Sequence, residues 1–120
     1  MVNFSRYFYW SDWGLKAKIE RAELDGSNRK VLVNTSIVWP NGIALDYVER
    51  KLYWGDAHTD KISCINLDGT NRQVILINLP HVFGVSILGD DIFWTDWQLR
   101  KLSKANKHDK KEITVNYIYD

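Results

Sequence analysis

A tetrapeptide of aromatic, Trp, any residue and Asp occurs three times in this chain. It reads YWSD over residues 9–12, YWGD over 53–56 and FWTD over 93–96, so that Trp10, Trp54 and Trp94 stand 44 and 40 positions apart. Other landmarks keep the phase: LDGSNR from Leu24 returns as LDGTNR from Leu67, 43 residues later, and Pro40 returns as Pro80 after 40. A unit repeated at such a period is one supersecondary element that cannot bury its own apolar face and has to stack on its copies.

Each unit divides into short runs rich in Val, Ile, Tyr, Phe and Trp, separated by Gly, Asp, Asn or Pro, and no segment sustains a 3.6-residue period. In the middle unit the runs predict strand a at 42–47, b at 51–56, c at 61–67 and d at 72–77. The third unit predicts strands at 83–88, 91–96, 100–106 and 112–118, and the first at 7–12, 18–24 and 29–34 behind a stub of strand a, MVNF. Four antiparallel strands in about 40 to 45 residues is the arithmetic of a β-propeller blade. The expected fold is therefore an all-β propeller segment of about three blades, 1–37, 38–78 and 79–120, the first lacking most of its inner strand.

The repeated residues have a structural reading. Tyr9, Trp10, Tyr53, Trp54, Phe93 and Trp94 suit a strand packed on both faces. Asp12, Asp56 and Asp96 end strand b where a carboxylate can accept backbone N–H or Arg hydrogen bonds at a blade junction. The LDG-x-N-R segments read as tight c-to-d hairpins, with Gly26 and Gly69 supplying positive φ. Cys64, the single cysteine, excludes an internal disulfide and any multi-cysteine zinc site, and reads as a small apolar core residue.

Sixteen basic against fifteen acidic residues leave a net charge of +1, which argues against a nucleic-acid partner. No apolar run is long enough for a membrane span, and the first residues carry no secretory leader. Sequons at Asn3 and Asn34 are glycosylation candidates.

With these residues in view, the chain resembles the YWTD propellers of the low-density lipoprotein receptor family. The segments WPNG, GDAHTDKI and LPHVFG are most similar to the second extracellular propeller of its Wnt co-receptor members. The resemblance spans roughly residues 7–105 and implies a six-bladed ring on a secreted or cell-surface protein that binds Wnt ligands or their secreted antagonists. About three blades are half such a ring. Its two flanks would be closed by a second copy or by blades elsewhere in a longer chain.

In a four-strand meander the a-to-b and c-to-d turns share one end, and these read as charged turns without aromatics. The opposite end gathers Trp13, Trp39, His58, His81, Phe83 and Trp97, which are candidate protein-binding anchors. Pro40-Asn41-Gly42 reads as a rigid turn holding the Asn41 amide outward, and in the first propeller of the resembled family, whereas this chain is nearer the second, the corresponding Trp and Asn lie on the ligand face. Equally, these tryptophans could wedge blades apart, and Asn41 could be a turn former. His58 and His81 raise the alternative of a lipoprotein-receptor-type module that releases its ligand on acidification. No Ser-His-Asp set falls in matching loops and no histidine pair has ligand spacing, so neither an enzyme nor a metal or cofactor site is expected.

Overall fold

The computed structural model describes residues 6–117. These form eleven strands in three antiparallel sheets. Sheet 1 holds β1 (Tyr7–Asp12), β2 (Lys18–Glu23) and β3 (Lys30–Val33). Sheet 2 holds β4 (Pro40–Asp46), β5 (Lys51–Asp56), β6 (Lys61–Asn66) and β7 (Gln73–Leu76). Sheet 3 holds β8 (Val82–Leu88), β9 (Asp91–Asp96), β10 (Lys101–Asn106) and β11 (Glu112–Tyr117). Each sheet is a plain meander, so the strand order anticipated from the repeat is the observed one. No helix among the described residues is long and apolar enough to cross a membrane. The MVNF stub and Asn3 lie outside the described residues, as does Ile118 of the last strand. Asn34 is exposed just beyond β3.

Two apolar cores lie between the sheets. Ile19, Leu32 and Val33 of sheet 1 meet Leu52, Trp54 and Ile65 of sheet 2. Tyr53, Ile62 and Cys64, on the other face of sheet 2, meet Val82, Ile92 and Trp94 of sheet 3. Successive residues of a strand point to opposite faces, so adjacent Tyr53 and Trp54 serve different cores, and β5 is buried almost throughout because sheet 2 is covered on both sides. The outer sheets are covered on one side only. Phe8 and Trp10 stack at 5.1 Å, opposite the face that Tyr9 turns to the core, and β11 is exposed along its length.

Glycines set the spacing between sheets 2 and 3. A Cβ on Gly42 would lie 2.5 Å from the Phe83 carbonyl oxygen and 2.7 Å from the Val85 nitrogen, so β4 and β8 approach backbone to backbone. One buried ion pair crosses the same junction: Lys107 Nζ donates to Asp46 Oδ2 and, at 2.8 Å, to the Gly89 carbonyl. Asp46 Oδ1 accepts the Val48 and Glu49 N–H groups at 3.0 and 3.1 Å. Burial pushes the Asp46 carboxyl up, but the Lys107 hydrogen bond and the two backbone donors more than offset it, leaving its pKa below the ordinary aspartate value.

The LDG-x-N-R hairpins are alike. Gly26 and Gly69 have φ of +87° and +91°, and the Ser27 and Thr70 N–H groups donate to Asp25 and Asp68 at 2.9 and 3.0 Å. Several boundaries differ from the sequence reading. Strand b matches in all three units, but the d strands are shorter, at Lys30–Val33 and Gln73–Leu76, because the ladder stops where the chain leaves for the next sheet. Tyr47 belongs to the β4–β5 turn and is exposed, so the charged end is not free of aromatics.

Candidate functional site

Five loops converge on the end where the b-to-c turns and the d-to-a links emerge. There Trp13, Trp39, Phe83 and Trp97, with Asn41 and His81, line one cavity of about 640 Å³. The four large rings are 64, 43, 58 and 57% exposed in that order and adjoin one another around the cavity, the contiguous kind of apolar patch that marks interaction sites. Trp13 and Trp39 lie 6.4 Å apart, His58 sits edge-on to Trp39 at 5.0 Å, and His81 sits edge-on to Trp97 at 5.0 Å. His58 thus backs a wall of the cavity without lining it.

Local chemistry explains why these rings are held. Asp56 is almost fully buried and its carboxylate accepts four backbone N–H groups: Val38 at 2.8 Å, Trp39 at 3.2 Å, His58 at 2.9 Å and Thr59 at 3.1 Å. One carboxylate therefore fixes both the loop carrying Trp39 and the turn carrying His58. Asp96 does the same for the turn after Trp97, accepting Gln98 and Leu99 N–H at 2.9 and 2.8 Å. Matching backbone bonds run from Ala57 to Trp39 and from Trp97 to His81, both 3.1 Å. The donors are all backbone; none of these bonds comes from an arginine, and Asp12 is only half-buried. A signal for this was present in the sequence. Asp followed by a turn at a strand end is the signature of a side chain that binds the N–H groups two and three residues on.

Asn41 departs from expectation. Pro40-Asn41-Gly42 is not a turn but the start of β4, and the register slips between Pro40 and Gly42, leaving Asn41 as the extra residue of a β-bulge. Its Nδ2 donates to the Val82 carbonyl at 3.0 Å, tying sheet 2 to sheet 3, so the amide is not a free two-way group. Its Oδ1 is buried without a partner. A second bulge, between Val82 and Val85, turns Phe83 towards the same cavity. His81, at φ +64°, also keeps a buried, unpartnered Nδ1, which is 3.8 Å from Asp96 Oδ1. Buried polar atoms without hydrogen bonds are rare, and two of the four among the described residues belong to side chains lining this cavity.

Elsewhere, burial pushes the Cys64 thiol up. Among the described residues one group could offer a metal three ligand atoms within 4.8 Å of one another, Glu49, Asp90 and His108, all exposed at the opposite end.

Comparison with known proteins gives consistent results. Residues 6–47 and 50–84 match the low-density lipoprotein receptor repeat class B. The human low-density lipoprotein receptor-related protein 5-like protein is 53% identical over 114 residues, covering 93% of this chain and 45% of that protein. The vitellogenin receptor Yl of Drosophila melanogaster is 38% identical over 108 residues, 89% of this chain and 5% of that receptor. The chain thus spans less than half the length of these relatives. Among solved structures, a chain of the nidogen/laminin complex superimposes with a TM-score of 0.83 at 31% identity, over 90% of this chain and 41% of that one. The calcium-binding protein regucalcin from Agrobacterium tumefaciens superimposes with a TM-score of 0.74 at 15% identity, a likeness of fold alone.

Proposed function

The chain belongs to the low-density lipoprotein receptor class B repeat family, and on that premise we propose that it is an extracellular protein-binding module that docks a Wnt ligand or secreted Wnt antagonist on its aromatic end. The observation that carries this reading is the cavity in which three exposed indoles surround two buried, unpartnered polar atoms. Large flat side chains give much contact area for few ordered torsions. The module performs no chemistry in this reading. The likeness to a receptor-related protein and to a chain solved in complex with a second protein supports a protein partner.

Trp39→Ala and Trp97→Ala should each weaken capture of an immobilised Wnt antagonist by about 1 kcal/mol or more, with circular dichroism unchanged. Unchanged affinity in both variants would move the docking surface elsewhere. A second reading, acid-triggered release, rests on His58 and His81, which stand edge-on to Trp39 and Trp97 at this end. In that case the ligand leaves faster at mildly acid pH than at neutral pH, and His81→Ala removes the difference.

A further inference from the structure

Sheets 1 and 2 align residue for residue on the face that each turns away from its successor. Trp10 pairs with Glu20, and Glu20 with Val31; Trp54 pairs with Ser63, and Ser63 with Val74. At the next rung Asp12 pairs with Lys18, and Asp56 with Lys61. Arg29 lies 5.2 Å over the Trp10 ring, and Arg72 lies 5.2 Å over the Trp54 ring. The two constellations differ at one position, Glu20 against Ser63.

That difference removes a carboxylate and leaves its partners. In sheet 1 the buried Glu20 carboxylate receives Arg29 Nε and Nη2, each at 2.8 Å, and lies 3.5 Å from Lys18 Nζ. In sheet 2 neither Lys61 nor Arg72 forms an ion pair with a carboxylate among the described residues, and Asp56, the ladder partner of Lys61, is taken up by backbone donors. Arg72 instead donates to the Thr35 and Ser36 carbonyls, at 2.6 and 3.0 Å. Where the glutamate would stand there is a cleft of about 390 Å³, lined by Trp54, Lys61, Ser63, Arg72 and Val74, with hydroxyls of Ser36 and Thr59 at its edge. Both arginines register the change. The Glu20 hydrogen bond raises the Arg29 pKa, whereas burial lowers that of Arg72, with Asp56 pulling the other way.

We propose that this cleft, on the face of sheet 2 turned away from sheet 3, is a carboxylate-binding site, in which an external carboxylate takes the place beside Lys61 and Arg72 that Glu20 holds beside Lys18 and Arg29. The guanidinium has donors to spare beyond its two carbonyl bonds, and its planar fork matches a carboxylate edge. The ammonium adds a charge-assisted bond, and the Ser63 and Thr59 hydroxyls can complete the shell. The source is either a small free carboxylic acid or an acidic side chain of a peptide. The site is separate from the aromatic cavity and shares none of its residues.

The test is titration of the isotope-labelled full chain with sodium acetate and with a blocked Asp-Glu dipeptide, at constant ionic strength made up with sodium chloride. The Trp54 indole and Arg72 Nε–H signals report binding. Saturable shifts in the unmodified chain are expected, absent in Ser63→Glu, whose own carboxylate fills the cleft. In Lys61→Gln the apparent affinity should fall at least about tenfold, from loss of one charge-assisted bond. The dipeptide binding more tightly than acetate assigns the source as a protein side chain; equal binding assigns it as a free acid. Three results would overturn the proposal: no saturable shift with either carboxylate, an equal response to sulfate or chloride, or shifts that persist in Ser63→Glu. If Ser63→Glu does not fold, an unweakened response in Lys61→Gln overturns it alone.

Discussion

Replacing Lys107 by Met tests the junction between sheets 2 and 3. The side chains of Lys107 and Asp46 are 5% and 4% exposed, so neither charge has water to fall back on. Met keeps the length of the side chain and its apolar contacts, and removes the ammonium. Asp46 then retains only the Val48 and Glu49 N–H groups on Oδ1, while Oδ2 faces the interior without a partner. Breaking a buried pair in this way costs about 3 to 5 kcal/mol, and the two remaining donors place the expectation near about 3. Against a typical net stability of about 5 to 15 kcal/mol this is readily measured by urea unfolding. The pH dependence supplies the sharper check. In the unmodified chain the folded-state pKa of Asp46 is depressed, so its contribution is complete above the ordinary aspartate value of 3.8 and is lost as pH falls below it. In Lys107→Met burial acts on a carboxyl without its counter-charge and raises the folded-state pKa. The folded variant then takes up a proton more readily than the unfolded chain, and acidification relieves the defect. The difference in stability between the two proteins should therefore shrink from neutral pH towards pH about 4. A loss under about 1 kcal/mol, or a difference that does not change with pH, would refute the argument that this pair is dry and mutually dependent.

Two further outcomes follow from the same junction. Gly55→Ala drives a Cβ into the Val82 side chain and should destabilise the chain by about 1 to 3 kcal/mol; Val82→Ala in the same chain should recover part of that loss in urea unfolding, since it removes the methyl groups in the way. Cys64 is buried and its thiol pKa is raised, chiefly by burial, so alkylation by iodoacetamide at neutral pH should be slow in the folded chain and rise with urea along the unfolding curve. Rapid alkylation without denaturant would mean that the core between sheets 2 and 3 opens locally.

The periodic features were legible from the residues alone. Trp10, Trp54 and Trp94 mark strand b because each unit repeats the same local solution, and Gly26 and Gly69 mark the hairpins because a tight turn there demands positive φ. The gathering of Trp13, Trp39, His81, Phe83 and Trp97 at one end followed from strand parity: in a meander, every second connection emerges on the same side. Local rules and a repeat period were sufficient for these.

What the repeat could not supply are the contacts in which one unit differs from the next. Asn41 read as a turn residue, yet the bulge in β4 points its amide at the Val82 carbonyl, a partner 41 positions away. Lys107 read as one more charge in a polar turn and Asp46, 61 positions away, as a residue of strand a, and only the stacking of sheet 3 on sheet 2 buries them together. Arg29 and Arg72 occupy the same place in the same motif, but one closes on Glu20 and the other reaches the Thr35 and Ser36 carbonyls. The amino-acid order by itself determined how the chain folds back and which end carries the rings. The tertiary structure decided which polar atoms are paired and which are left open, because that depends on the distance between sheets, and no periodicity along one strand encodes it.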